Sequence, residues 1–138
     1  MSPALAAFLL GLLVGLRTLT APAVLWLMRH RSPVAYVLGV GALLELAGDL
    51  NPKAPARTRF LGLTARVLSG AFCGWAVNAG PGASVTLGIV LGAIGAVIGA
   101  YGGLAARTRA IALIGAVPAA LLEDAIAIVG SIAIVAIT

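Results

Sequence analysis

Charge is what this sequence has least of. Asp, Glu, Lys and Arg make up 9% of its 138 residues, against about a quarter in soluble domains. Cysteine and histidine are scarcer still, with Cys73 and His30 the single example of each. One cysteine excludes an intrachain disulfide and a thiolate metal centre. One histidine, set between Arg29 and Arg31 at the end of an apolar run, reads as a loop residue at a membrane edge. It gives no basis for a zinc or haem site, or for Ser–His–Asp or Cys–His catalysis. Period-two alternation is missing too, which excludes the half-buried strands of a β-domain. No basic segment precedes the first apolar run, so the N-terminus reads as a membrane element and not as a cleaved signal peptide.

What is abundant is apolar surface: 62% of the residues are hydrophobic and the mean hydropathy is +1.15. A chain this small cannot bury that much inside itself, so the surface faces lipid. The expected class is an all-α, polytopic transmembrane helical bundle, with residues 1–138 as a single integral membrane domain. The net charge of +5 and pI near 10.8 do not make nucleic acid a partner. The nine basic residues are few, and most sit in short loops between apolar runs, where membrane topology needs them.

The longest charge-free run, Val67 to Ala106, is broken once by Asn78-Ala79-Gly80-Pro81-Gly82, a strong turn signal. The spacing predicts a hairpin of helices over 61–77 and 83–106. The second carries Gly88, Gly92, Gly95, Gly99 and Gly103 on one face. Small residues at that spacing let another backbone approach closely in lipid, from within the chain or from a second copy. A homodimer is therefore expected.

Both chain ends are interrupted by charge. At the start, Pro3–Leu16 and Thr18–Met28 flank Arg17; at the end, Ala110–Leu122 and Ala125–Thr138 flank Glu123-Asp124. A full span needs about 20 residues. Each half is too short, and each sum too long. Pro22 suits the first turn of a new helix, and Pro118 would kink or break the other end. Short, broken or re-entrant helices are expected at both ends, with the alternative that the charge lies inside one long tilted helix. Broken elements flanking a central hairpin suggest an internal, inverted repeat, a known transporter plan. The basic clusters Arg29/Arg31, Lys53/Arg57/Arg59 and Arg107/Arg109 share one side only if 34–50 re-enters; a single crossing there puts the first cluster opposite.

The chain has four acids: Glu45, Asp49, Glu123 and Asp124. Glu45 and Asp49 share a helix face, and Glu123 and Asp124 lie between two apolar runs. Intramembrane charge costs about 2.5–3.5 kcal/mol at the helix centre on insertion scales. Such residues face the bundle interior, pair with one another, or mark an ion or substrate path. Arg17 and Arg66 lie deepest in apolar sequence and are the natural partners. Internal ion pairs and a polar binding site are equally served by this set. The acids carry enough oxygen for a hard cation, although nothing in the sequence fixes their mutual distance.

Three segments carry a resemblance. They are Gly15-Leu16-Arg17-Thr18 with Pro22, the stretch Glu45-Leu-Ala-Gly-Asp49-Leu-Asn-Pro52-Lys-Ala-Pro55-Ala-Arg57-Thr58 followed by Arg66-Val-Leu-Ser-Gly70-Ala71, and Leu121-Leu122-Glu123-Asp124-Ala125. Together, in this order and over nearly the full chain, they resemble the bacterial membrane family catalogued as domain of unknown function 4126. The resemblance implies a small multi-pass protein of the bacterial inner membrane and brings no established activity. It implies that Arg17, Glu45, Asp49, Arg57, Arg66, Glu123 and Asp124 belong to the family pattern.

The leading expectation is a small transporter or channel-like protein without a cofactor, moving an ion or small anionic solute through a charged intramembrane site. Its residues would be Arg17, Thr18, Glu45, Asp49, Arg57, Arg66, Glu123 and Asp124. The alternative is a structural or accessory membrane subunit whose charges are folding and assembly pairs. An enzyme is not expected, because no nucleophile or metal centre accompanies the acids.

Overall fold

A computed structural model of the chain describes residues 1–48 and 60–138. The described residues form six helices and no strand: α1 (Pro3–Leu16), α2 (Thr20–Arg29), α3 (Pro33–Gly48), α4 (Phe60–Asn78), α5 (Val85–Ile114) and α6 (Ala116–Ala136). Three of them, α4, α5 and α6, are long and apolar enough to cross a membrane, as expected of a membrane protein. The outer faces of α5 and α6 carry exposed Leu, Ile and Val, and that of α4 carries Phe60, Leu61, Leu68 and Trp75.

Local chemistry sets the helix starts. Ser2 and Ser84 accept from the amides of Leu5 and Leu87, each at 3.3 Å, which satisfies orphan donors of α1 and α5. Pro3 and Pro33 open their helices, where a missing N–H costs nothing. The predicted central hairpin is present as α4 and α5, turning through Gly82 at φ 80.

The core is a three-helix seam of α1, α4 and α5. Gly88, Gly92, Gly95, Gly99 and Gly103 are all buried on α5. A Cβ on Gly92 would meet the carbonyl of Gly70, and one on Gly95 or Gly99 would meet the carbonyl of Phe8 or Leu12. Gly11, Gly15, Gly70 and Gly74 answer from the other two helices. The glycine face is thus covered within the chain, by α1 on one flank and α4 on the other. It is not free to pack a second copy.

These contacts fix directions. α1 runs parallel to α5, with Gly11 on Gly92 and Gly15 on Gly99. α4 runs antiparallel to both, with Gly74 on Gly88 and with Asn78 Nδ2 donating to Pro3 O at 3.1 Å. After Arg17 the chain doubles back. Trp26 of α2 packs on Phe72, and Arg29 donates to Ala76 O at 3.4 Å. The start of α1 and the end of α2 therefore lie at the same end of the bundle, beside the α4–α5 turn. α3 then runs inward again beside α2, carrying Glu45 to the level of the break. Arg29/Arg31 and Arg107/Arg109 consequently lie at opposite ends, so the arrangement with all three basic clusters on one side does not hold.

The expected break at the C-terminal acids is not there. α6 continues through Glu123 and Asp124 for 21 residues. The interruption falls earlier, at Gly115 with φ 91, and Pro118 sits in the first turn of α6. The reason is backbone chemistry: a positive-φ glycine and a following proline stop a helix, whereas a carboxylate with a partner does not. For the same reason α5 does not stop near Ala106. Arg107 and Arg109 are good helix formers, and no breaker comes before Gly115. The two chain ends are therefore unlike, without the paired interruptions that suggested an inverted repeat.

Candidate functional site

The break between α1 and α2 is where the charges meet. Pro22 lies in the first turn of α2. Continuing α1 through it would set its ring against the carbonyl of Thr18, so Arg17 turns extended at φ −140 and ψ 116. Breaking a helix exposes carbonyls on one side and amides on the other, and in an apolar bundle each needs a partner.

Charged side chains of α4 and α3 meet the backbone, and one of α6 meets Arg17 itself. Arg66 of α4 donates Nε to Gly15 O at 3.1 Å, meeting the carbonyl end of α1, and Nη1 to Gly62 O at 3.3 Å. Glu45 of α3 spreads its carboxylate over the amide end of α2, accepting from Thr18 N at 2.7 Å and Leu19 N at 2.8 Å. Each charge has the sign that its helix end favours. Arg17 itself, 1% exposed, donates Nη2 to Asp124 Oδ1 of α6. On the same turn of α6, Glu123 Oε2 lies 3.4 Å from Arg107 Nη1 of α5. Glu123 is 7% exposed and Arg107 20%.

Of the residues singled out in the sequence, Arg17, Thr18, Glu45, Arg66, Glu123 and Asp124 come together around this break. Thr18 contributes its amide. Asp49 and Arg57 lie outside the described residues. Gly88, Gly92, Gly95, Gly99 and Gly103 belong to the packing seam. Among the described residues, no three of His, Cys, Asp and Glu converge as metal ligands.

Sequence reasoning missed one participant at the break and one tie at the far end of α1. Arg107 reads as a loop residue, yet it lies within α5 and reaches Glu123. The signal was available: Arg107 and Glu123 stand eight residues either side of Gly115, so a helical hairpin turning there brings them level. Asn78 reads as part of a turn, yet it is buried and ties α4 to Pro3 O. Two hydroxyls, Thr20 Oγ1 and Ser131 Oγ, are buried without a hydrogen-bond partner among the described residues.

α1 has 14 residues, about 21 Å at 1.5 Å per residue, so it is shorter than the roughly 20 residues a full span needs, and the charged layer lies about 21 Å from its start. The arrangement can do two things chemically. It can hold the bundle together, and it can exchange partners, because the acids of α6 and the arginines of α1 and α5 are adjacent. No protein-family model, curated protein or solved structure matches the chain.

Proposed function

We propose that the protein is a small transporter of the bacterial inner membrane, moving an ion or small anionic solute past the break in its first helical pair. On this reading α1 and α2 form a re-entrant hairpin, entering and leaving on the side of the α4–α5 turn. The observation that supports it best is the break itself, held at both ends by charges from other helices. A purely supporting bundle needs no such feature, since a continuous helix satisfies its own backbone in lipid. Interrupted helices with opposed ends near mid-membrane are how many transporters build binding sites.

The coupling step is an exchange of partners. An anion reaching Arg17 replaces Asp124. The carboxylate so released is left in a medium that penalises free charge, and takes a proton or a cation. Glu123, held by Arg107, is the second acceptor on the same turn of α6.

The test is flux into liposomes containing the purified protein. Chloride, nitrate and phosphate would be offered in turn, with an entrapped pH dye reporting protons. The expected result is flux of at least one anion above empty liposomes, coupled to proton movement that Asp124→Asn removes without unfolding the protein. No flux above empty liposomes, with Asp124→Asn only lowering stability, would overturn the reading. The second reading, a structural or accessory subunit, would then stand. It is favoured by the ion pairs that join Arg17 to Asp124 and Arg107 to Glu123.

A further inference from the structure

The two helices that flank the chain reversal at Arg29–Ser32 leave a groove between them. It has a volume of about 410 Å³ and is lined by α2 and α3, with Ile128 of α6 at one side. Its walls are mostly aliphatic, with Ala23, Leu27, Ala35, Gly39 and Leu43 among them. It follows α2 from Leu27 inward to Thr20, about 10 Å at 1.5 Å per residue.

The outer end of the groove is different in character. Arg29, His30 and Arg31 are all exposed there, in the chain reversal that follows Leu27 and precedes Ala35. Both tryptophans lie at this end of the bundle. Trp26 sits 4.6 Å from the His30 ring and 5.3 Å from Phe72, which in turn lies 5.9 Å from Trp75. Trp26 Nε1 also donates to Ser32 Oγ at 3.2 Å. Tyr36 lines the groove nearby. Trp and Tyr concentrate where hydrocarbon gives way to headgroups, which sets the cationic cluster at headgroup level and the groove beneath it in hydrocarbon. The described acids Glu45, Glu123 and Asp124 all lie at the inner layer, so none neutralises Arg29 and Arg31 here.

We propose that this groove is a binding site for an anionic phospholipid: one acyl chain lies along α2 and α3, and the phosphate rests on Arg29 and Arg31. A zwitterionic lipid fills the groove equally well but makes less use of two guanidiniums. A second copy seated here by a twofold axis along the membrane normal would bring its own Arg29 and Arg31 to the same level, with none of the described acids to meet them. The site does not depend on the transport reading.

The experiment is lipid titration of the full chain in detergent, read by native mass spectrometry. Phosphatidylglycerol and phosphatidylcholine with identical chains would be compared. The expected preference for phosphatidylglycerol is ~30-fold, equivalent to about 2 kcal/mol, at about 1 kcal/mol per arginine near an anionic surface. Arg29→Gln with Arg31→Gln should abolish that preference. Both positions are exposed; Arg29 gives up its contact to Ala76 O, so an unchanged melting temperature of the double variant accompanies the titration. Gly39→Phe should weaken both lipids by about tenfold or more, because a Cβ there meets only Leu27 Cδ1, at 3.8 Å, and the ring enters the groove. Equal affinity for the two lipids, a preference that survives the double arginine change, or binding indifferent to Gly39→Phe would each overturn the proposal. So would a wild-type dimer that Gly39→Phe dissociates, since the groove would then be covered by a second copy.

Discussion

Arg17 and Asp124 are 107 residues apart in sequence and share a hydrogen-bonded ion pair in the interior of the bundle. The pair ties the break after α1 to the middle of α6, and Arg17 is almost wholly buried. Removing one member of such a pair strands the other, which costs more than the pair itself contributes. Arg17→Gln should therefore lower unfolding free energy by about 3–5 kcal/mol, the range for a broken buried pair. Arg17→Gln with Asp124→Asn should recover much of that loss. Reversible unfolding of wild type, the two single variants and the double variant in mixed micelles measures the coupling; a double variant no more stable than Arg17→Gln alone would count against the pair.

Glu45 acts on backbone, and its loss has a local signature. Glu45→Ala leaves the amides of Thr18 and Leu19 without their acceptor. At about 1.5–3 kcal/mol per hydrogen bond to a charged group, the cost should exceed that of Glu45→Gln, which keeps one acceptor oxygen. Hydrogen exchange of peptides covering residues 17–20 should accelerate in Glu45→Ala while peptides from α4 and α5 stay protected. Uniform acceleration throughout the chain would show that the capping is not local.

The glycine seam predicts a contrast within one helix. Gly92→Val must displace the backbone of Gly70 and Gly74, whereas a Cβ at Gly102 meets nothing within 4 Å. Overpacking costs about 1–3 kcal/mol when side chains can yield, and more where backbone must move. Gly92→Val should fail to give a monodisperse protein and Gly102→Val should behave as wild type. Size-exclusion profiles in detergent decide it; equal behaviour of the two would remove the seam from the account of the fold.

Gly115 is a conformational requirement and not a packing one. Its φ of 91 lies where L-residues rarely sit, and the nearest atom to a Cβ there is Pro118 Cδ at 3.8 Å. Gly115→Ala should cost about 1–3 kcal/mol through strain alone, since φ 91 with ψ 168 is a region kept almost wholly to glycine. Because the hairpin would open, the Arg107–Glu123 contact should loosen with it. A double-mutant cycle between Arg107→Gln and Glu123→Gln, run in the wild-type and Gly115→Ala backgrounds, should show the coupling shrink in the second.

Much of the site was legible because charge in an apolar sequence has few explanations. Arg17, Glu45, Arg66, Glu123 and Asp124 stood out against long apolar runs, and four different stretches of chain turn out to place them around one break. What each charge does was not legible. Glu45 and Arg66 look from the sequence like partners for other charges, yet Glu45 accepts from the amides of Thr18 and Leu19 and Arg66 donates to Gly15 O, backbone groups that the broken helix exposes. That need arises only once α1 has stopped at Leu16, and Pro22 determines the stop.

The sequence by itself determined the class, the central hairpin and the first break. Composition forces apolar surface into lipid, lipid forces helices, and Asn78–Gly82 and Pro22 interrupt them through local backbone rules that need no neighbours. Only the tertiary structure decided that the glycine face packs within the chain, that α2 turns back beside α1, and that the C-terminal break falls at Gly115 while α6 runs on through its acids. These outcomes depend on which surfaces meet. A glycine stripe fits any close helix, and a buried acid can end a helix or continue it. The choice is made by the partner that arrives from elsewhere in the chain.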